Sequence, residues 1–111
     1  MIDWDELNER LCGDEELVGT ILDLFVDECP GWIAAVVAAV VERDAERVRM
    51  SAHSLKGAAA NVAAHDVAAA AGRLEHMGRE RDLRDCGVAC AELTTECDRL
   101  LVALRARARA N

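Results

Sequence analysis

The sequence predicts an all-α protein, an antiparallel four-helix bundle core with short additional N-terminal helices. Three observations lead there. Ala, Leu, Val, Glu and Arg dominate, while Phe and Trp together number three and Tyr is absent, a composition that favours helix over sheet. Pro30 is the only proline, so little breaks a helix. Apolar residues also recur at helical spacing, in stretches separated by the Asp and Gly residues that cap and stop helices.

The elements follow in order. Asp3 is placed to cap a short first helix carrying Trp4, Leu7 and Leu11, which Gly13 stops. Asp14 caps a second, with Leu17, Ile21, Leu24, Phe25 and Glu28. Pro30 suits the opening turn of a third, where its missing N–H costs little, and the apolar stretch Trp32 to Val41 then ends in Glu42-Arg43-Asp44. A fourth helix should run from Asp44 to about Val62, with Val48, Ala52, Leu55, Ala59 and Val62 spaced i, i+4, i+7, i+11, i+14 on one face. A fifth starts near His65-Asp66, turns Val67, Ala71 and Leu74 inward and ends around Gly78. The sixth and longest runs from about Leu83 toward Arg107 on a stripe of Cys86, Cys90, Leu93, Cys97, Leu100, Leu101 and Leu104. Arg105, Arg107 and Arg109 favour the negative end of its dipole, and the terminal Arg-Ala repeats read as solvated and frayed.

At 111 residues with no repeat and no Pro/Gly/Ser-rich joint, the chain reads as a single domain, residues 1–111. Its net charge of −8 disfavours nucleic acid and anionic membrane, where the phosphate interaction would be repulsive. No run approaches ~18 uninterrupted apolar residues, and the N-terminus is acidic where a secretory signal is basic, so a soluble cytoplasmic protein is expected. Cys12, Cys29, Cys86, Cys90 and Cys97 form no CxxC pair. Cys86 and Cys97 would lie ~16 Å apart on a straight helix, too far to share a zinc, so the five read as buried thiols. His65, at a helix start, and His76, facing water, join no metal constellation at readable spacing; no metal site is expected.

The chemistry concentrates on the fourth helix. At 100° per residue His53 points ~140° away from the centre of the Val48/Leu55/Val62 stripe, so its imidazole must face solvent or a partner. Lys56 at i+3, Gly57 at i+4 and Ala60 at i+7 share that ridge, leaving one cation and two nearly absent side chains beside a nucleophile. Gly in a helix costs roughly 0.5–1 kcal/mol relative to Ala, which invites a reason such as close approach by another protein. A lone surface histidine is commonly idle; these neighbours distinguish His53.

The stretch His53-Ser54-Leu55-Lys56-Gly57-Ala58-Ala59-Ala60-Asn61-Val62-Ala63-Ala64 resembles the motif of the histidine-containing phosphotransfer (HPt) family, approximately His-Ser-Leu-Lys-Gly-small-small-Ala-Asn-apolar-Gly-Ala. The resemblance extends through Phe25, Pro30, Glu42-Arg43-Asp44 and Arg73-Leu74-Glu75-His76-Met77-Gly78-Arg79. Ala63 departs from the usual glycine, so the helix end is expected to sit differently, and Ala71 departs from a frequent cysteine or larger residue.

The resemblance implies that His53 accepts a phosphoryl group from a receiver-domain aspartate and passes it to another receiver. Lys56 would neutralise phosphoryl charge, and Glu75 is a candidate for holding the imidazole. Arg49, Gly57, Ala60 and Asn61 would meet the partner. It implies no cofactor in this chain, with Mg²⁺ in the partner receiver domain. Expected partners are receiver domains of response regulators or a hybrid histidine kinase, met by a monomer. The chain has neither a glycine-rich nucleotide loop nor the length for an ATP-binding domain, so it reads as a phosphocarrier without kinase activity of its own. Two rivals are a degenerate docking scaffold, against which the intact His53-Lys56-Gly57 set argues, and a structural bundle that oligomerises, which solution size would reveal.

Overall fold

Three aspartates begin three of the helices. Asp3, Asp14 and Asp44 each sit in extended backbone, and each side chain accepts a hydrogen bond from the amide three residues on, at Glu6, Leu17 and Arg47. The computed structural model describes residues 1–110, in which the helices are α1 (Trp4–Arg10), α2 (Glu15–Glu42), α3 (Ala45–Asn61), α4 (His65–Glu80) and α5 (Cys86–Ala110). Short turns reverse the chain after α2, α3 and α4, so the four long helices form an antiparallel bundle. Helix α3 packs most extensively on α4, and α5 closes the bundle against α2 and α4.

The expected second and third helices are one. Helix α2 continues through Pro30 for 28 residues, and α5, at 25, is not the longest. Pro30 forfeits one backbone hydrogen bond and crowds the carbonyl a turn before it. Val18, Leu22, Phe25 and Cys29 before it and Val36 and Ala39 after it are all buried, so both halves stay docked to the core. The bundle therefore carries one short N-terminal helix, α1, rather than several. No uninterrupted apolar run in α2 approaches ~18 residues, yet by length and mean hydropathy it is the one helix among the described residues that passes as a membrane span. In the bundle one face of it is core.

The predicted inner stripe of α3 is buried throughout, as are Val67, Ala71 and Leu74 of α4 and the whole α5 stripe from Cys86 to Leu104. Leu17 and Leu24 point outward. Four cysteines are buried; Cys12 is exposed, in the left-handed turn between α1 and α2. The C-terminal Arg-Ala segment is not frayed through its described length. It is helical to Ala110, and the Arg107 guanidinium lies 5.0 Å from the Trp4 ring centroid, a cation–π contact.

Ala63 has φ 56°, the left-handed conformation a glycine would take there. The chain therefore leaves α3 as a glycine would, at a cost of about 1–2 kcal/mol. Surrounding bonds hold it: the Ala63 carbonyl accepts from the Asp3 amide at 2.9 Å, and the Ala64 amide donates to the Ala59 carbonyl at 2.9 Å.

Candidate functional site

Burial of Val48, Ala52, Leu55 and Ala59 fixes the rotation of α3, and His53 consequently stands outside, with 64% of its side chain exposed. The inward face of α4 carries an exception to its apolar pattern. Glu75, one residue after the fully buried Leu74, is 3% exposed and is the one buried charged residue among the described residues. A buried carboxylate without partners would be strongly unfavourable. Glu75 has them: Oε2 lies 2.5 Å from His53 Nδ1, Oε1 accepts from the Lys56 ammonium, and the Arg79 guanidinium stands 3.6 Å from Oε2.

An ionised carboxylate only accepts, so His53 donates through Nδ1–H and leaves the lone pair on Nε2, the nitrogen free of the bundle. The Lys56 stem lies along α4 beside Gly72, where a Cβ would sit 3.5 Å from Lys56 Cδ. The hydrogen bond from Lys56 pulls the Glu75 pKa below its ordinary value; burial opposes this, and the His53 bond adds to the lowering.

A carboxyl whose pKa is depressed by folding contributes stability above its unfolded pKa, and that contribution is lost as pH falls through the folded value. Stability should therefore drop as pH falls below about 4.3, the ordinary glutamate value. Part of that acid slope should be absent in Glu75→Gln, read as the urea midpoint between pH 6 and pH 3.

A family model for the Hpt domain matches residues 20–103, most of the chain and all of this site. The chain belongs to the Hpt domain family. No curated protein matches at a significant level. In fold it is similar to the crystal structure of histidine-containing phosphotransfer protein B (HptB) from Pseudomonas aeruginosa PAO1, with a TM-score of 0.90 and 23% identity over 99% of this chain and 96% of that one. As an Hpt domain the protein is a histidine phosphotransfer module of two-component phosphorelays, a phosphocarrier whose partners are phosphorelay proteins such as receiver domains.

Of the residues singled out in the sequence, the structure of this Hpt domain brings His53, Lys56 and Glu75 into direct contact. Gly57, Ala60 and Asn61 lie exposed on the same helix, and a Cβ at Gly57 would meet nothing within 4 Å. Arg49 is different: half-buried, it is engaged by Glu46 on its own helix, so its charge is already paired. Beside the ridge, between α2 and α3, runs a shallow apolar groove lined by Ile21, Leu24, Phe25, Trp32, Ala58 and Asn61.

His65 is less solitary than its spacing suggested. It pairs with Glu6, and ligand atoms of Asp3, Glu6 and His65 lie within 4.8 Å of one another. Those oxygens already serve the α1 cap, Arg10 and His65 itself, and Asp3 and His65 are exposed. His76 faces solvent, as expected.

Two contributions escaped sequence reasoning. Arg10 donates to the carbonyls of Ala60 at 2.8 Å and Asn61 at 3.2 Å, closing the end of α3 beneath the exposed ridge; nothing local links residues so distant in the chain. Arg79 follows Glu75 by one turn, a spacing that marks an ion pair once the carboxylate is known to be in use.

Proposed function

We propose that this Hpt domain accepts a phosphoryl group on Nε2 of His53 from the phosphorylated aspartate of one receiver domain and delivers it to another. The observation that carries the reading is the exposed imidazole held through Nδ1 by a buried carboxylate. The neutral ring attacks phosphorus in line through the Nε2 lone pair, and the bond from phosphorus to the aspartyl oxygen breaks as that carboxylate leaves. Positive charge developing on the ring is shared with Glu75 through Nδ1–H. Lys56 is one helical turn from His53 and half exposed, so its ammonium can turn from Glu75 toward the phosphoryl oxygens. Onward transfer is the reverse step toward a second aspartate.

Little covalent chemistry falls to this chain, which presents and orients a nucleophile. It needs no cofactor, since Mg²⁺ belongs to the receiver, and ATP alone should leave it unlabelled. It acts as a cytoplasmic monomer. The receiver would approach over Gly57, Ala60 and Asn61, with the Leu24/Phe25/Trp32 groove alongside. Gly57→Arg should therefore lower transfer by roughly tenfold or more, equivalent to at least ~1.4 kcal/mol of docking energy. Open space around Gly57 means the variant folds as well as the parent, which thermal melting checks.

The decisive experiment incubates the protein with phosphorylated candidate receivers and maps the acid-labile mass increment by fragmentation. Phosphate on His53 is the expected result. Phosphate on His65 or His76, or none from any receiver, overturns the assignment.

A further inference from the structure

Helices α3 and α4 touch backbone to backbone beside the Glu75–His53 contact, and the closeness has a local cause. At Gly78, buried on α4, a Cβ would lie 2.6 Å from the Ala45 carbonyl oxygen, 2.6 Å from the Arg49 amide nitrogen and 2.9 Å from Arg49 Cα. All three atoms are backbone, so none can rotate aside; a methyl group there forces the helices apart. The helices are antiparallel. One turn forward from Arg49 on α3 is His53, and one turn back from Gly78 on α4 is Glu75. This close backbone approach is therefore one turn from the Oε2 to Nδ1 contact of 2.5 Å.

We propose that Gly78 is a positioning residue for phosphotransfer: by letting the backbones of α3 and α4 touch, it sets the reach of Glu75 and so keeps the proton on Nδ1 and the lone pair on Nε2 of His53. This rests on His53 being the acceptor. Gly72, on the same helix, serves as the internal contrast. Its Cβ would meet only the flexible Lys56 stem, in ordinary contact, so an added methyl leaves the crossing unchanged.

The test uses two readouts. The first is ¹⁵N NMR of the His53 ring nitrogens in the unphosphorylated protein, which reports the tautomer whether or not any receiver is known. Wild type and Gly72→Ala should show a single Nδ1–H tautomer, and Gly78→Ala a mixture. The second is the transfer rate. A displacement on the order of 1 Å at the acceptor should slow Gly78→Ala by about tenfold to a hundredfold.

If Gly78 acts through Glu75, then Gly78→Ala placed in a Glu75→Gln protein should slow transfer no further than Glu75→Gln alone. A folded Gly78→Ala with the wild-type tautomer, or losses that multiply in the double variant, overturns the proposal. Should Gly78→Ala not fold in buffer, the spectrum is recorded in concentrated sucrose, which favours the compact state. Glu75→Asp then supplies a second route, withdrawing the carboxylate while leaving the crossing intact. A single Nδ1–H tautomer in Glu75→Asp overturns the proposal equally. Absence of phosphate on His53 in the wild type, with the tautomer results as expected, would instead locate the failure in the acceptor assignment.

Discussion

His53→Gln should take up no phosphoryl group from any phosphorylated receiver while remaining a folded bundle. Glutamine is close to histidine in size and can donate its amide N–H to Glu75, so the buried carboxylate keeps a donor at Oε2 beside Lys56 and Arg79, and stability should change by no more than about 1 kcal/mol. What disappears is the ring nitrogen with its free lone pair. An amide nitrogen, whose lone pair is delocalised into the carbonyl, does not replace it as a nucleophile. Acid-labile label in the variant equal to that in the wild type would remove the basis for the phosphorelay mechanism at this position.

The second large effect is on the opposite face of the same helix. Leu55 is fully buried, and Leu55→Ala should cost about 3–4 kcal/mol, a transfer loss plus the cavity left behind. Against a typical domain stability of about 5–15 kcal/mol this is a large fraction. The urea midpoint should fall with little change in slope, while the fraction that remains folded transfers phosphate nearly as before, because His53, Lys56 and Glu75 keep their places. A midpoint unchanged within error would mean that the inner face of α3 is misassigned.

These paired expectations reflect what was legible in the chain. Helix α3 could be read almost completely: five apolar residues at helical spacing fixed its buried face, and that face dictated where His53 must point. The fate of Pro30 was not legible, because a proline marks either the first turn of a helix or a tolerated break within one. Burial of Phe25, Cys29 and Val36 on either side decides between them. The left-handed Ala63 was hidden for a similar reason. Its own side chain disfavours that conformation, and only the bonds to Asp3 and the end of α3 enforce it.

The candidate site divides along the same line. His53, Lys56 and Gly57 lie within one turn, so their association is a property of local spacing. Glu75 comes from another helix, and its contact depends on how α3 and α4 are set against each other. Gly78 controls that setting, yet in the sequence it looks like a helix terminator; its role is visible only where two backbones meet. Arg10 is fifty residues from the carbonyls it closes and carries no periodic signature at all.

The distribution of thiols has a practical consequence. With Cys29, Cys86, Cys90 and Cys97 enclosed in the bundle, a maleimide fluorophore added to the native protein has one accessible sulfur to alkylate, that of Cys12. The dye would be carried in the turn between α1 and α2, off the helix that bears the imidazole. The unmodified sequence thus already contains a single-site handle through which the binding of a receiver can be followed by fluorescence anisotropy.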